Sequence, residues 1–262
     1  MVKKRIIESI TSTDTKSRRW KSLFASAKMA YEAGELRQAE SLLARARELA
    51  HELPEHIFAE HATQIGIAAI YLAKKKPRDA ESLLRRSLSV LESNPDPALK
   101  ELYAVSLRFH ADALRASGDE NEAEKTLKKS AAILEDLGND AAVQLGYTLC
   151  DLSGLYLLQG RLSEAQEYIE TAMAILFVVL GPEAPEYTRA DMIFAASKYS
   201  DADELKDMAA DGIMKMEYMF GEHHPNITRA LDRYMKVLAQ KGDESRLEAA
   251  KERFGIKAVS KK

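Results

Sequence analysis

Apolar residues recur along this chain at spacings of three and four, as in Leu42, Leu43, Ala46, Leu49 and Ala50. That period gathers them on one face of an α-helix. No stretch alternates apolar and polar residues over the length of a strand, and no Asn-Gly hairpin signal occurs. The pattern predicts helices almost throughout, punctuated by glycine and proline. The longest apolar run, around AILFVVLG, is far shorter than the roughly 20 residues needed to cross a bilayer, so no membrane insertion is expected.

The helical pattern also repeats. Four segments align without gaps: YEAGELRQAESLLARA, YLAKKKPRDAESLLRRS, LRASGDENEAEKTLKKS and YLLQGRLSEAQEYIETA. Their anchoring alanines, Ala39, Ala80, Ala123 and Ala165, are spaced by 41, 43 and 42. Two weaker copies carry Leu205 and Leu247 at the anchor. Each unit reads as two antiparallel helices, A and B, joined by a tight turn at Gly34, Gly118, Gly160 or Gly242. Glycine there supplies the left-handed residue that ends helix A, and Asp119 and Asp243 sit where an acidic side chain opens helix B. Small residues recur in three registered sets: Ala27, Ala68, Ala111 and Ser153 on the A helices, the four anchors on the B helices, and Ala46, Ser87, Ser130 and Ala172 seven residues later. Only small side chains let two helix backbones approach closely.

Composition adds little to this. The 262 residues suffice for a large core, and the formal net charge of −3 does not favour nucleic acid as a partner. Residues 1–21 carry a net charge of +5, leaving −8 for the rest. One cysteine, Cys150, excludes an internal disulfide and a cysteine-rich metal site. The basic start has only Ile6 and Ile7 as an apolar run, so no signal peptide is expected and a cytoplasmic location is the default.

Candidate chemistry is sparse. His223 and His224 are adjacent before Pro225 and lack further ligands for a metal. His51, His56 and His61 are spaced by five, about 140° apart on a helix, and flank Pro54. The acidic stretch DADELKD (201–207) lacks the glycine and late glutamate of a calcium loop. Cys150 reads as a small residue packed in a helix near a binding face. No phosphate loop, paired-carboxylate motif or nucleophile elbow is present. No catalytic residue, metal or cofactor is expected, and only a buried, strongly polar cluster would revive an enzyme reading.

The turn glycine, the anchor and the small positions resemble those of the tetratricopeptide repeat. The period near 42, with the matched joints LGPEAPEYTRA and FGEHHPNITRA, resembles the kinesin-light-chain type. The resemblance implies an all-α fold, a right-handed α-solenoid of about six antiparallel helix pairs over 18–256. The fifth and sixth repeats are degenerate, a basic leader that is helical in part covers 1–17, and a basic tail covers 257–262. It also implies a non-enzymatic scaffold that holds a peptide or helical segment of another protein in a concave groove lined by the A helices. A sensory module answering a small ligand or signal peptide is the alternative. Carried onto this chain, the groove positions are Lys21, Phe24, Lys28 and Tyr31; Ile65, Ala69 and Leu72; Arg108, Phe109, Asp112 and Arg115; Tyr147, Cys150, Asp151 and Leu157. The degenerate repeats add Tyr187 and Asp191, then Arg229, Asp232, Arg233 and Lys236. The paired asparagines of the carboxylate-clamp groove are absent from the matching places. A partner with acidic groups is the narrowest expectation, and self-association stays open.

Overall fold

A computed structural model of the protein describes residues 2–94 and 96–181, with single positions at 184, 190, 193, 235, 244, 248 and 251; within the first helix, side chains are described from residue 15 onward. The described residues are all-helical. Eight α-helices follow in order: α1 (Val2–Glu32), α2 (Leu36–Ala50), α3 (His56–Ala73), α4 (Pro77–Leu91), α5 (Pro97–Ser117), α6 (Glu120–Leu137), α7 (Ala142–Leu158) and α8 (Leu162–Leu180). A 3-10 turn, Gly138–Ala141, precedes α7. Odd-numbered helices are the predicted A helices and even-numbered ones the B helices. The predicted leader is helical and continuous with the first A helix. The fifth and sixth repeats, the histidine pair, the DADELKD stretch and the tail lie outside the described residues. The chain divides into two compact units, 1–152 and 153–262, with the boundary inside α7.

Four A-to-B turns share one design. Gly34, Gly118 and Gly160 sit at φ 78°, 93° and 73°. In each turn the residue after the glycine donates its N–H five residues back: Glu35 to Ala30, Asp119 to Leu114, Arg161 to Tyr156. The glycine itself donates three residues back, to Tyr31, Arg115 and Leu157. These paired bonds satisfy carbonyls left open at the helix end. The second repeat makes the same turn with lysine: Lys75 has φ 58°, and Lys76 donates to Tyr71. Asp119 opens α6 as expected, its carboxylate accepting from the Glu122 N–H at 3.3 Å.

Every one of the twelve predicted small positions is buried, none more than 2% exposed. Their serines bond across helices: Ser130 Oγ donates to the Ala104 carbonyl at 2.8 Å, and Ser153 Oγ to the Ala165 carbonyl at 2.6 Å. In unit 1 the core runs from Trp20 and Leu23 through Ala46, Leu53, Leu84 and Leu91 to Leu99, Tyr103 and Leu107. Trp20 ties the first repeat to the second: its indole N–H donates to Thr63 Oγ1 at 3.1 Å, and its ring stacks on Phe24 at 5.3 Å. A buried indole needs such a partner, because an unmet N–H would be left desolvated. In unit 2, Tyr156 packs against Tyr168 with centroids 5.5 Å apart, and Leu155, Ile169 and Leu176 are fully buried.

Candidate functional site

Within unit 1, α2, α4 and α6 pack on their own A helices, α2 and α4 also pack on the next A helix, and α3 packs on α5 and touches α1. α1, α3 and α5 therefore lie side by side, and the predicted groove residues among the described ones are carried by α1, α3, α5 and α7. On α1, Lys21 and Lys28 are exposed and Phe24 and Tyr31 half-buried. Lys28 Nζ lies 3.7 Å from Glu32. On α3, Leu72 is half-buried, but Ile65 and Ala69 are 6% and 7% exposed, and Ile65 belongs to the core. Cys150 is 1% exposed, so it is a buried thiol and not a surface of the groove. A helix face inferred from spacing does not say how deeply the next helix covers it. Leu157 is half-buried in unit 2.

The structure places the six remaining described residues in two groups on α5 and α7. Arg108 Nη1 donates to Asp151 Oδ2 at 3.3 Å, with both side chains buried. The Arg108 guanidinium lies 4.7 Å from the centroid of Phe109 and 5.6 Å from that of Tyr147. One turn along α5, Arg115 Nη2 donates to Asp112 Oδ1 at 3.2 Å. Spacing puts Arg108, Asp112 and Arg115 on one helical face. The charges thus meet as two hydrogen-bonded pairs, and the guanidinium of Arg108 lies against two aromatic rings. A nucleophile set beside a base is what acyl or phosphoryl chemistry would need, and these paired ions are a different arrangement. Tyr187, Asp191, Arg229, Asp232, Arg233 and Lys236 lie outside the described residues.

The histidines separate. His51 lies in the turn after α2, with Nδ1 2.5 Å from Glu60 Oε1. His56 begins α3. His61 is inside α3 and buried, with Nδ1 3.1 Å from Ser87 Oγ, which donates to Gln64. Burial holds the His61 imidazole below its ordinary pKa against the opposing pull of Glu60 and Gln64. His110 on α5 was not foreseen as special. It is 9% exposed, its Nε2 has no hydrogen-bond partner, and burial depresses its pKa, with Glu81 and Glu122 raising it and Arg85 lowering it further. Its only sequence signal is its place beside the small residue Ala111 on an apolar helix. Among the described residues no group of three or more His, Cys, Asp or Glu is placed to hold a metal ion. No helix among them is long and apolar enough to cross a membrane.

Residues 102–176, spanning α5 to α8, match the tetratricopeptide repeat family. Aspartyl phosphate phosphatase F from Bacillus subtilis has a similar structure, with 14% identity and a TM-score of 0.70, covering 91% of this chain and 59% of that one. A Rap protein solved in complex with Competence and Sporulation Factor gives 15% identity and 0.72, covering 92% and 65%. BtubC from P. vanneervenii gives 16% identity and 0.54, covering 90% and 89%. This chain therefore spans about three-fifths of the length of the first of these proteins. No curated protein matches the sequence. At such identities the likeness concerns the fold.

Proposed function

We propose that this chain, which carries tetratricopeptide repeats and has the helical-solenoid fold of its structural neighbours, is a non-enzymatic interaction scaffold that holds a peptide or helical segment of another protein against its A helices. The observation that carries this reading is the division of labour on those helices. One side of each A helix bears the small residue that seats its B helix: Ala27, Ala68, Ala111. Other positions carry half-buried aromatics (Phe24, Tyr31, Phe109, Tyr147) and the exposed Lys21 and Lys28. Aromatic and arginine side chains are the commonest anchors of protein interfaces. A site built on packed helices is formed before the partner arrives, which lowers the ordering cost of binding.

A photo-crosslinking amino acid placed at Phe24 or Phe109 tests this, with the same group at the exposed B-helix positions Arg45 and Lys128 as reference. In the native cell the A-helix positions should capture a partner that the B-helix positions do not. Capture that is equal at both, or confined to Arg45 and Lys128, overturns the reading. Reversing the charge of Arg108 is a poor probe, because it would bury a carboxylate beside Asp151.

A further inference from the structure

Among the described residues, Arg108 is a charged A-helix side chain with a buried N–H that meets no acceptor. A guanidinium carries five N–H donors in a rigid fork. Among the described residues, Asp151 is its only hydrogen-bond acceptor, reached through Nη1. The Nε–H is buried without any acceptor. The fork edge that suits a carboxylate best, Nε with one Nη, is therefore not the edge that Asp151 occupies. A buried donor left unmet raises the free energy of the empty state, so an incoming acceptor recovers that cost. Phe109 and Tyr147, with centroids 4.7 Å and 5.6 Å from the guanidinium carbon, hold the group against rotation. Asp112, the next carboxylate along the face, is bonded to Arg115.

We propose that the Arg108 guanidinium is the seat for an acidic side chain, Asp or Glu, of the bound segment. This rests on the scaffold reading and names the chemistry that reading leaves open. Arg108 stands on α5 between α3 and α7, so a segment lying across the A helices passes over it and presents an internal side chain. Arg108, Arg115, Asp112 and Asp151 together are neutral, so the seat is defined by the direction of its free donors rather than by a bulk positive field. Charge-assisted hydrogen bonds are roughly twice as strong as neutral ones, which favours Glu over Gln at that place.

The test is a selection of random twelve-residue peptides against the full chain, followed by synthesis of the enriched peptides with amidated C-termini. The expected result is Asp or Glu at one fixed position. Changing that residue to its amide should weaken binding about tenfold or more. Against Arg108→Gln the acid and its amide should bind alike, and Arg108→Lys should not restore the preference, since lysine lacks the fork. If Arg108→Gln alone unfolds the protein, the neutral double variant R108Q/D151N takes its place. In the wild type, the Arg108 Nε–H resonance should move on adding the acidic peptide and stay put with the amide. Enriched peptides without an acidic position, or an acid-to-amide penalty that survives loss of Arg108, overturn the seat while leaving the scaffold reading intact. Peptides indifferent to Phe24→Ala and Phe109→Ala, or no enrichment at all, overturn both.

Discussion

Arg108 and Asp151 stand 43 residues apart in the chain, one repeat period, and are joined by a single N–H···O bond of 3.3 Å between two buried side chains. Breaking such a pair leaves one charge buried without its partner. Asp151→Ala should therefore destabilise unit 1 by about 3 kcal/mol, and replacing both residues with apolar ones should cost much less than the two single changes combined. Urea unfolding of the four proteins checks this. Additive losses would show that the two groups do not depend on one another.

Lys75 occupies the place filled by glycine in the neighbouring repeats and has φ 58°. A left-handed conformation costs a residue with a Cβ on the order of 1 kcal/mol. Lys75→Gly should raise stability by up to about 1 kcal/mol, read as a rise of about 2–4 °C in melting temperature. Gly118→Ala is the mirror experiment. Nothing lies within 4 Å of a Cβ built at Gly118 at φ 93°, so any loss there comes from the backbone alone.

The buried anchors leave no room for growth. Ala80 and Ala123 are both fully buried in their B helices. Leucine at either place should cost about 1–3 kcal/mol, because the two helices must separate or the side chain must leave its rotamer. A thermal melt of Ala80→Leu beside Arg86→Leu, an exposed position on the same helix, separates crowding from added hydrophobicity.

His61 and His110 both have pKa values held below 6.5 by burial. Their folded forms bind protons less readily than the unfolded chain does. Their contribution to stability is thus present above about pH 6.5 and is lost as pH falls through their lower folded values. Stability of the wild type should decline as pH falls below about 6.5. In His110→Gln that decline should be shallower. An unchanged slope, measured by urea midpoints across the range, would remove His110 from the account.

What the sequence disclosed depended on the kind of constraint. Ala39, Ala80, Ala123 and Ala165 were legible because helix crossing admits little beyond a methyl, and sterics of that sort leave a periodic mark. The left-handed turn was legible in position but not in residue, since Lys75 shows that the paired turn bonds can hold a side chain there. The expected groove face was only half legible. Spacing placed Ile65, Arg108, Asp151 and Cys150 on the A helices, but their burial is decided by neighbours from other repeats. Spacing also could not reveal that Arg108 and Asp151 bond each other, because nothing local links residues 43 positions apart. His110 left almost no mark, since a buried histidine within an apolar helix looks the same whether or not its ring finds a partner.

The separation between seating residues and face residues on one helix has a use. Ala68 and Ala111 are fully enclosed, whereas Leu72 and Phe109 are half-buried at the edge of the core. On the proposed scaffold reading, recognition and frame rest on largely different positions of one helix. If the proposed scaffold holds, transplanting the half-exposed positions of one A helix onto another, with the small residues left in place, would exchange specificities as interchangeable cassettes.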